Sequence, residues 1–141
     1  MKHLSETIRQ AIRTRAGNRC EYCRCHQDYV LGQLQIDHIL PLAKGGPDSA
    51  ENLCLACELC NQYQWTKTEG LDPQTKARTP LFHPRRDRWH EHFTWSDDWT
   101  EIIGLTPCGR ATVIALRLNN PLAVTVRRNW VKAGWHPPKK V

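Results

Sequence analysis

The sequence predicts an α+β protein, and three observations carry that reading. Two Cys-x-x-Cys pairs, Cys20/Cys23 and Cys57/Cys60, bracket a stretch that alternates and turns like a β-hairpin. A segment with helically spaced apolar residues precedes them. Thr106-Pro107 and Asn120-Pro121 each place a capping residue before a proline, the signature of a helix start. A chain of 141 residues is long enough for one core, or for a small domain with an extension. The expected division is a core over residues 1–70 and a basic, aromatic-rich extension over residues 71–141 packed on it.

The elements follow in order. Leu4, Ile8, Ala11, Ile12 and Ala16 share one helical face, Ser5 or Thr7 caps the start, and Gly17-Asn18 ends it. Arg9, Arg13 and Arg15 decorate the other face, solvated or turned to phosphate. Leu34 and Ile36 alternate with Gln33, Gln35 and Asp37 as a half-buried strand, broken at Pro41. Gly45-Gly46-Pro47-Asp48 turns the chain, and Asn52-Leu53-Cys54-Leu55 returns as the partner strand. Glu58–Trp65 reads as a short helix, and GLDPQTKARTP beyond Thr68 as a connection rather than an element. A hairpin is expected at about residues 93–105, with helices at about 107–118 and 121–133. The tail HPPKK reads as disordered.

Charge and composition narrow the function classes. Mean hydropathy is −0.62 and no apolar run approaches ~18 residues, so no membrane span is expected. The segment MKHLSETIRQAIRTRAG has no apolar stretch of the secretory type, and a cytoplasmic location is expected. Residues 1–70 balance their charges, so the whole net charge of +6 belongs to residues 71–141. With a pI near 9.1, that balance suits a polyanionic partner, nucleic acid being the commonest.

Seven cysteines, an odd number in a chain expected to stay reduced, argue against a disulfide framework. Six fall in the tracts CEYCRC and CLACELC, and two thiolates separated by two residues can face one ion from a tight turn. Cys20, Cys23, Cys57 and Cys60 therefore form the favoured Zn²⁺ ligand set, with Cys25, Cys54 and His26 as alternative ligands. Cys54, Cys57 and Cys60 also match part of an iron–sulfur run, but position 64, where its last cysteine belongs, is Gln64. Metal-free buried thiols remain the third reading, and Cys108 reads as an ordinary core residue. Zinc would supply folding energy, ~10–16 kcal/mol in small zinc peptides, that so short a region lacks.

The ordered set CEYC, IDHILPLAKGGPDSAENL and CELCN resembles the HNH endonucleases over about Arg15–Thr68. The resemblance implies a zinc-stapled, treble-clef-like ββα-metal core that hydrolyses DNA phosphodiester bonds, RNA not excluded. It makes His38 the general base and Asp37 a ligand of the catalytic divalent ion, with Asn61 the second ligand. It gives Asn52 the task of holding the hairpin loop, and hence His38, in place. The chain is of the His-Asn-Asn kind, and hard oxygen donors favour Mg²⁺ or Mn²⁺. An imidazole with an ordinary pKa of about 6.5 suits a base near neutral pH. The products implied carry 5′-phosphate and 3′-hydroxyl ends.

Basic residues beside aromatics suit backbone contact and base stacking, which makes Arg85, Arg86, Arg88 and Lys67 the candidate nucleic-acid contacts. Trp89, Phe93, Trp95 and Trp99 are equally suited to packing, and Arg110, Arg117, Arg127, Arg128 and Lys132 either grip a duplex or stay wet. A zinc-stabilised nucleic-acid-binding module without catalysis, and a protein-interaction zinc domain, are the alternatives.

Overall fold

A computed structural model describes residues 4–138. It resolves into two units, Met1–Thr68 with His83–Asp87, and Glu69–Phe82 with Arg88–Val141.

The first unit opens with helix α1 (Glu6–Arg15), whose N-cap Ser5 accepts a hydrogen bond from the Ile8 amide at 3.2 Å. Gly17 and Asn18 follow at φ of 64° and 58°, the left-handed turn that ends a helix. Strand β1 (Gln35–His38) pairs antiparallel with β2 (Leu53–Ala56), placing Ile36 opposite Leu55 and His38 opposite Leu53. All of β2 is buried, whereas β1 alternates, so this small sheet buries one edge in a core of Ile12, Leu34, Ile36, Ile39, Leu53 and Leu55. Helix α2 (Glu58–Gln64) follows, with the Cys57 sulfur as its N-cap acceptor.

The arginines of α1 are not simply solvated. Arg13 Nη1 donates to Leu34 O at 2.9 Å, and Arg15 donates to Ala50 O at 3.0 Å and Leu53 O at 2.6 Å. These long side chains bolt the helix to both strands of the hairpin, satisfying carbonyls that the short sheet leaves unpaired. Gly46 shows why the loop carries two glycines. A Cβ there would stand 1.8 Å from Leu40 O, and Gly45 sits at φ 86°.

In the second unit, the stretch read as a connection is a hairpin, β3 (Glu69–Leu71) against β4 (Arg78–Pro80). Its turn is organised by Asp72, fully buried, whose carboxylate accepts from Gln74, Thr75 and, through two nitrogens, Arg110. A short helix α3 (Trp89–His92) leads into β5 (Phe93–Trp95), which pairs with β6 (Ile102–Gly104) as the expected second hairpin. Helices α4 (Pro107–Ala115) and α5 (Pro121–Ala133) begin as expected, with Thr106 and Asn120 as caps and proline in the first turn.

Phe82, Trp89, Phe93 and Trp95 stack on one another at centroid distances of 5.1–5.4 Å and form this unit's aromatic core. Arg127 is buried among them, 5.7 Å from the Trp95 ring centroid, and donates to Thr100 O, Leu118 O and Asn119 Oδ1. Arg110 and Arg127 are therefore structural cations rather than free grips for a duplex. Lys139 and Lys140 of the tail lie outside the described residues. No described helix is long and apolar enough to cross a membrane.

Candidate active site

The two knuckles meet. Amides of Cys23 and Cys60 donate to Cys20 Sγ and Cys57 Sγ, each at 3.4 Å, and Cys23 Sγ lies 3.7 Å from Cys57 Sγ. The sulfurs of Cys20, Cys23, Cys25 and Cys57 all fall within 4.8 Å of one another, a group suited to one metal ion. The Cys60 thiol interacts with those of Cys20, Cys23 and Cys57 as well. Burial raises the proton affinity of Cys20, but hydrogen bonds from the surrounding thiols outweigh it and hold Cys20 well below the ordinary thiol range. Such a donor set fits zinc.

Of the alternative ligands, only Cys25 reaches this cluster. Cys54 points to the Tyr22 hydroxyl at 3.9 Å, and burial, then the Asp37 charge, push its thiol upward. His26 Nδ1 is occupied as the cap of a short turn, accepting from Asp28 N at 3.0 Å.

At the far side of the hairpin, Asp37 and Asn61 converge. The Asn61 amide lies between Asp37 and Gln35: its nitrogen donates to the Asp37 carboxylate, 2.6 Å from Oδ2 and 3.3 Å from Oδ1, and its oxygen faces the Gln35 side-chain amide at 2.7 Å. Rotating the Asn61 amide turns its oxygen to the acid instead, the orientation in which the two side chains could share a cation. A carboxylate and an amide oxygen brought together this way fit a hard divalent ion. Partial burial pushes the Asp37 carboxyl above its ordinary value, opposed chiefly by the His38 backbone N–H.

His38 closes β1 with its ring packed inside rather than in solvent. It is only 6% exposed, and Nε2 lies 2.6 Å from Asp48 Oδ1. Asp48, read from the sequence as turn chemistry, is thus the carboxylate in contact with His38, a partner the sequence reading did not single out. Asn52 bonds backbone across the hairpin loop. Its Oδ1 accepts from Leu40 N at 2.8 Å, and its Nδ2 donates to Leu40 O at 3.0 Å and Pro47 O at 2.9 Å. The loop that carries Asp48 is thereby tied to the residues just after His38.

Residues 20–64 match the family model for HNH endonuclease. The matched HNH segment runs from the first knuckle through β1, β2 and α2, and it contains every residue of the two clusters described above. No curated protein and no solved structure matches the chain. The HNH match implies a nuclease or nucleic-acid-binding role, a nucleic-acid partner and use of a divalent metal.

The candidate nucleic-acid contacts separate. Lys67, Arg86 and Arg88 are exposed, although Lys67 Nζ also donates to Tyr63 O at 2.6 Å. Arg85 is not available as expected. Its guanidinium pairs with the buried carboxylate of Glu21, whose other oxygen accepts from Leu55 N at 2.9 Å. Burial pulls Arg85 down to about 10, marking a cation withdrawn from water to support the HNH segment from behind.

Proposed function

We propose that this chain is a metal-dependent endonuclease that hydrolyses DNA phosphodiester bonds, leaving 5′-phosphate and 3′-hydroxyl ends. The observation that carries the reading is the convergence of the Asp37 carboxylate and the Asn61 side-chain amide beside a histidine fixed by its own carboxylate.

Asp37 and Asn61 would hold Mg²⁺ or Mn²⁺, which would supply Lewis-acid stabilisation of the charge that grows on the phosphate. With Nε2–H donated to Asp48, the His38 tautomer leaves Nδ1 as the nitrogen that takes the proton of the attacking water. Asp48 stabilises the imidazolium that results, and Asn52 keeps the loop bearing Asp48 in register with the end of β1. The thiolate cluster carries no chemistry and holds the two ends of the hairpin-helix unit together.

The burial of His38 favours a second reading, a zinc-stabilised nucleic-acid-binding module without catalysis. A plasmid assay decides between them. Nicking in Mg²⁺ or Mn²⁺ that stops with EDTA and is lost in His38→Ala supports the nuclease, with Asp37→Ala and Asn61→Ala raising the metal requirement. Salt-dependent DNA binding with no cleavage in any metal, or a His38→Ala variant that nicks at the wild-type rate, overturns it.

A further inference from the structure

The thiolate cluster holds more donors than a zinc ion uses. Three sulfurs, those of Cys20, Cys23 and Cys57, are common to every grouping around the site. Cys25 joins them in the set whose sulfurs lie within 4.8 Å of one another. Cys60 belongs to the same knuckle as Cys57, its amide donating to Cys57 Sγ at 3.4 Å, and its thiol interacts with the same three. Both Cys25 and Cys60 are buried, 6% and 3% exposed, so neither is a surface thiol passing by.

The backbone explains why Cys25 is there at all. Arg24 takes φ 70°, which turns the chain back just after Cys23, and the Cys20 amide donates to Cys25 O at 2.9 Å. A bridge between Arg19 and His26 closes the same turn one residue further out. The position of Cys25 is therefore fixed by backbone hydrogen bonds, independently of any bound ion. Cys60 is fixed equally well by the first turn of α2, where its amide bonds Cys57 Sγ.

Structural zinc is almost always four-coordinate. We infer that Cys20, Cys23 and Cys57 hold the ion permanently, and that Cys25 and Cys60 share the fourth coordination position. Five thiolates thus serve four places, and the site exchanges one ligand without releasing its metal. Cys60 lies in the first turn of the helix that carries Asn61, so the exchange alters how firmly zinc tethers that helix while the ion stays bound.

Cobalt(II) replacing zinc in the full-length chain tests this, because the intensity of the thiolate-to-cobalt charge-transfer band counts coordinated sulfurs. Cys25→Ser and Cys60→Ser are each expected to keep the four-thiolate spectrum and a zinc affinity within about tenfold of wild type, less than the upper end of the range seen on losing even an outer partner of a metal site. The double variant is expected to show three thiolates and to bind at least about a hundredfold more weakly. If Cys60→Ser alone drops to three thiolates, Cys60 is the unique fourth ligand and the inference fails. If Cys25→Ser alone does so, Cys25 is the unique ligand and it fails equally. The single variants decide the matter even if the double variant does not fold, and no readout depends on cleavage.

Discussion

Removing the Asp48 carboxylate tests the proposed base more sharply than removing the base itself. Asp48 touches His38 Nε2 at 2.6 Å, a charge-assisted hydrogen bond once the ring is protonated. Such bonds contribute roughly 1.5–3 kcal/mol, and with Asp48 53% exposed the lower end applies, about 1.5 kcal/mol or roughly tenfold in rate. Asp48→Ala is therefore expected to slow plasmid nicking about tenfold, against the roughly 10²–10⁴-fold expected for His38→Ala. Asp48→Asn should lose less, because its amide oxygen still accepts Nε2–H and preserves the tautomer. The decisive arm is the double variant. If Asp48 acts only through His38, adding Asp48→Ala to His38→Ala costs nothing further. A further tenfold loss there, or a wild-type rate for Asp48→Ala alone, refutes the dyad. A melting curve for Asp48→Ala within about 0.5 kcal/mol of wild type confirms that the loop still folds.

Other consequences are equally open to measurement. Stripping zinc with a chelator should unfold the first unit, because ~10–16 kcal/mol of binding energy exceeds what so small a core supplies; retained far-UV ellipticity and an unchanged melt in the metal-free chain would contradict this. The Asp72 carboxyl is held well below its ordinary 3.8 by Arg110, and also by the hydroxyl and amide of Thr75. A depressed folded value gives stability that is complete above 3.8 and lost as pH falls below it, so wild-type Tm should drop in that window while Asp72→Asn starts lower and changes less. Neutralising Arg86, Arg88 or Lys67 should each reduce the salt dependence of DNA binding by about one counterion, whereas Arg85→Met should leave that slope alone and lower stability instead.

What the sequence disclosed and what it withheld divide along physical lines. Helix starts at Ser5, Thr106 and Asn120 were legible because a cap acts on amides two or three residues away, as the hydrogen bonds to Ile8, Gly109 and Ala123 show. The thiolate pairs, the hairpin of β1 and β2, and α2 were legible for the same local reason. The hairpin of β3 and β4 was hidden because its strands have three residues each and no alternation, and its turn depends on an arginine 38 residues further along the chain.

Long cations were the least legible of all, since a guanidinium chooses its partner only after the chain has folded. Arg13 and Arg15 found carbonyls, Arg85 and Arg110 found buried acids, and Arg127 found three acceptors from its own unit. The net charge of +6 is therefore a poor guide to the phosphate-binding surface. Electrostatic attraction at long range counts every charge, but close contact with a phosphate needs a cation not already committed to the fold. By that criterion the exposed side chains Arg86, Arg88, Arg128 and Lys132 are the ones to test first, and Arg85, equally a candidate from the sequence, is not among them.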